Sequence, residues 1–271
     1  MQGERISPVN QRIFIHLPYA ELMGRLDTLA REKLYPEIYL PAHVLEETPP
    51  SALEQLALAM QKNQLPCTIH GPFLDLNAGS RDERIRKVTL ARYGQAFAAA
   101  RLLKPQQMVL HPGYDRWHYG DSQDEEKWLQ TSLRSWEWAL KETEGLGFTL
   151  ALENVFEHRP QILTKLLRQM DAERLRFCFD IGHCNIFSHL PMAEWIDELA
   201  PFLTEVHLHD NLGQEDDHLA IGQGKIDFPS FFRRLQENGA KPQLTIEAFD
   251  ERKIRLSLQA LKGYYGKEEK R

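Results

Sequence analysis

Short apolar runs recur along the whole chain, and most of them end in a histidine or a carboxylate. In chain order the runs are IFIH (13–16), EIYL (37–40), CTIH (67–70), MVLH (108–111), LALE (150–153), FCFD (177–180), VHLHD (206–210) and LTIE (244–247). Runs of this length and composition are typical of buried strands. Because all of them except EIYL end in His, Asp or Glu, the pattern indicates one site assembled from the ends of many strands.

Segments with helical periodicity separate these runs. The predicted helices are 20–33, 51–62, 81–103, 123–144, 160–170, 192–200, 229–238 and 250–264. Ser51 with Glu54, and Ser80 with Glu83, have the spacing of capping boxes and predict two of the helix starts.

Eight strands that alternate with eight helices predict an α/β fold, the (β/α)8 TIM barrel. A doubly wound open sheet is the alternative. No internal linker is visible, so we expect a single domain over residues 1–271, with its core at about 12–264 and a polar tail at 267–271.

In a (β/α)8 barrel the residues that end the strands converge on one mouth. Strand alternation turns His70, His111, Glu153 and Glu247 towards the barrel interior. The full set of candidates at or just beyond the strand ends is His70, His111, Glu153, Asp180, His183, His207, His209, Asp216, His218 and Glu247.

This set has the chemistry of a metal centre. Imidazole and carboxylate groups bind zinc, manganese and related divalent ions, whereas four clustered carboxylates without a cation would repel one another. Taken singly, Glu153 would suit an arginine partner and Asp180 a turn. Recurrence on six strands favours divalent metal ions, and His16, which ends the first run, is expected to lie outside the pocket.

Composition sets bounds on location and partners. The net charge of −6 is mildly unfavourable for a nucleic-acid partner, but it argues only weakly if Glu153, Asp180, Asp216 and Glu247 bind cations. We find no signal-peptide pattern and no apolar run approaching the ~18 residues of a membrane span, so a soluble, cytoplasmic protein without a membrane partner is expected. The three cysteines lack CxxC spacing and are expected to be reduced core residues.

Several motifs together resemble one known superfamily. They are IHGPFLDL (69–76), VLHPG (109–113), ALEN (151–154), FDIGH (179–183), VHLHDN (206–211), DDHLAIGQGKIDF (216–228) and TIEAF (245–249). In combination they resemble the xylose-isomerase-like TIM-barrel superfamily over about residues 12–262. That superfamily holds sugar and sugar-phosphate isomerases and epimerases together with abasic-site nucleases of the endonuclease IV type.

The resemblance to the nuclease branch implies nine ligands for up to three zinc ions. The first ion would be held by His70, His111 and Glu153; the second by Glu153, Asp180, His207 and Glu247; the third by His183, Asp216 and His218. Strand parity alone does not separate His207 from His209. The family motif favours His207 as the ligand and leaves His209 to support a ligand or to contact the substrate.

The resemblance to the isomerase and epimerase branch implies a smaller metal site. Glu153, Asp180, His207 and Glu247 would hold one ion, and the catalytic residues Glu153 and Glu247 would exchange protons with the substrate. That branch usually carries an arginine near position 218, where this chain has His218.

We favour the first of two functional hypotheses, a metal-dependent isomerase or epimerase of a sugar, sugar phosphate or polyol. Trp117 lies in an aromatic segment, Trp117-His118-Tyr119, that would stack on a sugar ring or else form a packing corner. The turn Gly222-Gln223-Gly224-Lys225 would bind a phosphate through its backbone, with Lys225 as a further contact, or would serve only to position Asp216 and His218.

The second hypothesis is a three-zinc phosphodiesterase acting on abasic DNA, or another metallohydrolase. Phe73 and Leu74 lie where that nuclease presents an intercalating pair, although they also suit a loop anchor. The small-molecule carbohydrate remains the favoured partner over nucleic acid.

Overall fold

The computed structural model describes residues 12–265, and over this range strands and helices alternate around a closed barrel. The strands are β1 (Ile13–Pro18), β2 (Leu34–Tyr39), β3 (Thr68–His70), β4 (Gln107–Leu110), β5 (Thr149–Glu153), β6 (Leu175–Asp180), β7 (Leu203–Leu208) and β8 (Gln243–Ile246). Each strand pairs in parallel with its neighbours, and β1 pairs with β8 from Ile13 opposite Leu244, which closes the ring. The (β/α)8 barrel is therefore confirmed and the open sheet is excluded.

The helices pack around the outside of this barrel. They are α1 (Tyr19–Glu32), α2 (Ala42–Glu47), α3 (Pro50–Lys62), α4 (Glu83–Leu103), α5 (Arg116–Tyr119), α6 (Ser122–Glu142), α7 (Gln161–Leu167), α8 (Ile181–Phe187), α9 (Met192–Leu199), α10 (Phe228–Glu237) and α11 (Glu251–Tyr265). Eight of them correspond to the predicted helices, and α2, α5 and α8 are additional. Among residues 12–265, no helix is long and apolar enough to cross a membrane. The predicted polar tail lies outside the described residues.

Both capping-box predictions are wrong. Helix α3 begins at Pro50 after Pro49, with no side-chain cap, because proline needs no N–H partner at the first turn. Helix α4 is capped by Asp82, whose carboxylate accepts from the Arg84 N–H at 2.7 Å. The Ser80 hydroxyl instead accepts from the N–H of Asp82 at 3.2 Å.

The apolar core lies mainly between the strands and the helices. Trp128, Trp136 and Trp195 are fully buried there, on α6 and α9. The cysteines are free and buried, as predicted, and burial raises the pKa of the Cys67 and Cys184 thiols to about 12.

The inside of the barrel is polar by contrast. Below the mouth, the fully buried Glu205 of β7 accepts from Gln243 at 2.8 Å and also from Gln107 and Thr245. Since every one of these groups has a partner, the polar layer is compatible with a water-excluding interior. This layer forms the floor on which the residues of the mouth rest.

Candidate metal centre

Six consecutive strands, β3 to β8, each bring one candidate ligand to the same end of the barrel. Four of these side chains, which we call the four-residue cluster, can place one ligand atom each within 4.8 Å of one another: Glu153, Asp180, His207 and Glu247. The atoms of His70, His111 and Glu153 satisfy the same limit. The predicted convergence of distant segments is therefore present in the fold.

His207 lies at the centre of the four-residue cluster. Its Nδ1 is 3.5 Å from Glu153 Oε2 and 3.4 Å from Glu247 Oε2. Both His207 Nδ1 and Glu247 Oε2 are buried and have no hydrogen-bond partner. Leaving a buried polar atom unpaired costs about 1–3 kcal/mol, so the orphaned atoms fit a cation placed among them.

Glu153 connects the four-residue cluster to a further set of imidazoles. Its Oε2 is 3.1 Å from His70 Nε2 and 3.3 Å from His111 Nε2, and its Oε1 is 3.2 Å from His183 Nδ1. One buried carboxylate thus contacts histidines from three different strand ends. Glu153 is therefore shared by two of the sets of side chains that could hold an ion.

A third set lies nearer the solvent. His183 Nε2 and His218 Nε2 approach the same oxygen, Oδ2 of Asp216, at 3.4 and 3.0 Å. His183 is placed by the first turn of α8, where its N–H donates to Asp180 Oδ1 at 2.6 Å. The structure thus brings together all nine residues predicted as ligands, whose role in metal binding stays a prediction.

His209 is buried behind Asp180. Its Nε2 lies 3.2 Å from both Asp180 carboxylate oxygens, and its ring stacks on His218 with centroids 4.1 Å apart. The backbone of Gly182 covers another part of the ring, since a Cβ there would lie 1.9 Å from His209 Cε1. This burial favours support of Asp180 over direct contact with a substrate.

The charges of the cluster balance one another through protons. Burial alone raises the pKa of Glu153 and of Glu247, but the neighbouring imidazoles, His207 in both cases, outweigh it and hold both pKa values well below the usual range. Burial lowers the pKa of His218, yet the hydrogen bond to Asp216 raises it to about 9. These directions favour ionised Glu153 and Glu247 and a protonated His218 when no cation is bound, so a metal ion held by these groups would have to displace a proton.

The family follows from comparison with known proteins. The family model described as the xylose isomerase-like TIM barrel matches residues 36–264. The chain belongs to this family.

Three similar proteins extend the comparison. The uncharacterized protein MJ1311 of Methanocaldococcus jannaschii is 30% identical over 226 residues, which cover 79% of this chain and 75% of that protein. The crystal structure of a D-tagatose 3-epimerase-like protein has a TM-score of 0.79 at 27% identity and covers 94% of this chain and 97% of its own. The TTHB071 protein of Thermus thermophilus, soaked with ZnCl2, has a TM-score of 0.79 at 25% identity and covers 94% and 98%.

The predicted substrate contacts of this xylose isomerase-like barrel differ in their exposure. Trp117 stands at the rim on α5 with 62% of its surface exposed, supported by the edges of Phe156 and Phe187 at 5.8 and 6.4 Å. Tyr119 is buried, so the predicted aromatic segment does not form one continuous face. Phe73 stacks on His111 at 4.3 Å, and this packing supports the loop-anchor interpretation over an intercalating pair.

The glycine-rich turn does not offer its amides to a ligand. The N–H groups of Gly222 and Gly224 donate to Asp210 Oδ2 at 3.0 and 2.8 Å, and that of Ile226 donates to Oδ1 at 3.2 Å. The predicted phosphate site on this backbone is therefore wrong, because an internal carboxylate occupies it. Lys225 is exposed, and its N–H donates to the Asn211 carbonyl at 3.0 Å.

One residue of the centre was not predicted from the sequence, and the position of a second was predicted wrongly. Glu37 of β2 is fully buried and lies 3.1 Å from His16 Nδ1 and 3.3 Å from His207 Nε2. His16, expected outside the pocket, faces Glu37 across the paired strands and lies 3.8 Å from Glu247. Inward parity of Glu37 with Tyr39, next to His16 on the neighbouring strand, is the signal that would have found it.

Proposed function

We propose that this protein is a divalent-metal-dependent isomerase or epimerase of a sugar or related polyol. The observation that carries the proposal is the convergence of Glu153 and Glu247, from β5 and β8, with Asp180 and His207. Its similarity to a D-tagatose 3-epimerase-like protein, and to a second protein studied with ZnCl2, agrees with this chemistry.

The four-residue cluster would hold the ion on which the reaction depends. Glu153, Asp180, His207 and Glu247 supply the oxygen and nitrogen ligands that zinc and manganese accept, and two of their buried atoms lack any other partner. A divalent ion bound there would polarise a substrate carbonyl and make the neighbouring C–H more acidic.

Glu153 and Glu247 would carry the protons. They enter from β5 and β8, strands on different sides of the barrel mouth, and the low pKa of each keeps it ionised and able to accept a proton. One glutamate takes the proton from the carbon beside the carbonyl, and a carboxyl group returns it. Return to the other face of the same carbon gives an epimer. Return to the former carbonyl carbon gives the aldose–ketose isomer, provided that the hydroxyl proton of the first carbon also moves to the former carbonyl oxygen.

The surroundings favour an uncharged substrate. Trp117 at the rim is 62% exposed, and although the Arg116 guanidinium lies over its ring at 4.8 Å, the exposed part of the ring is where a sugar would stack. The amides of Gly222 and Gly224 are engaged by Asp210, so a phosphate group would find no backbone cradle there. We therefore favour a free sugar, or a polyol that carries a carbonyl group, over a sugar phosphate, with Trp117 as a substrate contact and Lys225 at the periphery.

A metallohydrolase is the second candidate, because the centre contains more potential ligands than one ion needs. Two further groups lie around the four-residue cluster. One is His70 with His111, and the other is His183 with Asp216 and His218. Three bound ions would suit hydrolysis of a phosphodiester, including abasic-site DNA.

Metal analysis and two activity screens separate these candidates. We expect purified protein loaded with manganese or zinc to incorporate solvent deuterium into members of a ketose and aldose panel. Glu153→Gln and Glu247→Gln should each lower this rate by about 10²–10⁴-fold. Glu144→Gln, the same change at an exposed position just before β5, should leave it unchanged.

The opposite result is equally specific. Nicking of an abasic-site duplex by protein that holds three zinc ions per chain, without deuterium incorporation into any sugar, would refute the isomerase proposal and favour the hydrolase.

A further inference from the structure

His207 faces different partners with its two ring nitrogens. Nδ1 points towards the other members of the four-residue cluster, 3.4 Å from Glu247 and 3.5 Å from Glu153, and has no hydrogen bond. Nε2 points the other way, into the barrel interior, where it lies 3.3 Å from both carboxylate oxygens of Glu37. A histidine can bind a metal through one nitrogen only if that nitrogen carries no proton.

Glu37 is well placed to decide which nitrogen carries the proton. It is fully buried on β2, across the barrel from His207 on β7, and an ionised carboxylate only accepts hydrogen bonds. Facing Glu37, Nε2 donates its N–H, so Nδ1 is the nitrogen that can release its proton and offer a lone pair to a cation beside Glu153 and Glu247.

The same carboxylate also holds a second histidine. His16 lies opposite Glu37 in the register of β1 and β2, with its Nδ1 3.1 Å from Glu37 Oε1. That nitrogen is also 3.8 Å from Glu247 Oε1. Glu37 therefore contacts His207 directly and reaches Glu247 through His16, although it is not a member of the four-residue cluster.

We infer that Glu37 is a positioning residue that fixes His207 in the Nε2–H form and so directs Nδ1 to the metal ion. The inference rests on the proposed metal-dependent function. Partners that hold the distal nitrogen of a metal-binding histidine typically change metal affinity by 10–100-fold when they are removed.

Zinc affinity measured by competition with a chromogenic chelator tests the energetic part. We expect Glu37→Gln, which removes the charge and almost no volume, to weaken zinc binding by about 10–100-fold. Glu205→Gln is the matched control, because Glu205 is equally buried in the barrel interior but hydrogen-bonds Gln107, Gln243 and Thr245 and lies 4.0 Å from His207. It should change zinc affinity by less than about threefold. Circular dichroism and urea unfolding establish that both variants fold.

NMR of the imidazole nitrogens in zinc-loaded wild-type protein tests the geometric part directly. The His207 signals are assigned by their loss in His207→Gln. We expect a proton on Nε2, at low field because of the hydrogen bond to Glu37, and a metal-shifted Nδ1. In Glu37→Gln the Nε2 proton should move upfield and exchange faster with water, whereas Glu205→Gln should leave it in place.

Two results would overturn the inference while leaving the metal-dependent function standing. One is zinc bound through Nε2 of His207, and the other is an equal loss of affinity in Glu37→Gln and Glu205→Gln. If wild-type protein binds neither zinc nor manganese, the proposed function itself is wrong and the role of Glu37 falls with it.

Discussion

Replacing Asp210 by asparagine is expected to loosen the loop that carries Asp216 and His218. Asp210 follows β7, and its backbone pairs with Leu219 in both directions, at 2.9 and 2.8 Å. Its buried carboxylate accepts hydrogen bonds from four backbone N–H groups, those of Asn211, Gly222, Gly224 and Ile226. The side chain thus replaces the missing regular structure of the whole segment.

The size of the effect follows from these four bonds. Hydrogen bonds to a charged group contribute about 1.5–3 kcal/mol each, and an asparagine keeps only one accepting oxygen. Its NH2 group would face two of the four donors, which then lose their partner. Because Gly222 and Gly224 lie near the surface and water can replace part of the loss, we expect the free energy of unfolding to fall by about 2–4 kcal/mol.

Thermal and urea unfolding measure this loss. For a chain of this size each kcal/mol lowers Tm by roughly 2–4 °C, so Asp210→Asn should unfold about 5–15 °C below wild type. Asp227→Asn is the control, because Asp227 also accepts a backbone N–H, from Ser230 at 3.0 Å, but as an exposed helix cap where asparagine is equally good. Equal Tm values for the two variants would refute the role given to Asp210.

Three further predictions concern packing, ion pairing and metal binding. Gly182→Ala should lower the unfolding free energy by about 1–3 kcal/mol, because its Cβ would overlap the His209 ring, whereas Gly24→Ala, with open space within 4 Å, should raise it by about 0.5–1 kcal/mol; thermal unfolding of both variants checks the opposite signs. Burial alone raises the pKa of Glu125, but Lys165 and Arg159 outweigh it and lower the pKa. The ionised Glu125 therefore stabilises the fold above the unfolded pKa of about 4.3, and this stabilisation is lost as the pH falls through the folded pKa. Glu125→Gln should therefore cost about 1 kcal/mol at pH 7 and almost nothing at the acid limit, and a pH-independent difference in urea unfolding would contradict this. Because the pKa of His218 is raised to about 9, zinc binding at pH 7 should release at least one proton, and zinc affinity should rise with pH up to about 9; calorimetry in buffers of different ionisation enthalpy counts the protons, and buffer-independent heats would contradict the prediction.

The barrel was predictable because its strands are short, apolar and evenly separated by helical segments. Helix α5 was not, since four residues are too few for a helical period to be recognised, and α8 was not, because it begins at Ile181 directly after β6 with no loop to separate the two elements. The start of α4 failed for a different reason. Ser80 and Asp82 are both good caps, and only the tertiary path of the loop decides that Asp82 caps the helix while Ser80 binds the N–H of Asp82.

The centre was predictable where chemistry and strand position coincide. Histidines and carboxylates that end apolar runs stand out in a sequence, and those residues do converge. Glu37 begins its run rather than ending it, and its partner His207 lies 170 residues away, so neither position nor spacing reveals the pair. The turn at Gly222 failed because a sequence shows which backbone amides exist but not that Asp210 already binds them.

One carboxylate serves the helix and the candidate ion at once. Asp180 ends β6 and caps α8 through Oδ1, while Oδ2 lies towards the imidazole of His207 at 3.9 Å. An alanine at this position would fray the helix and remove a candidate ligand together, so its phenotype would have two inseparable origins. Asparagine caps helices as well as aspartate does but coordinates cations poorly, and it thereby isolates the contribution of the negative charge from that of the fold.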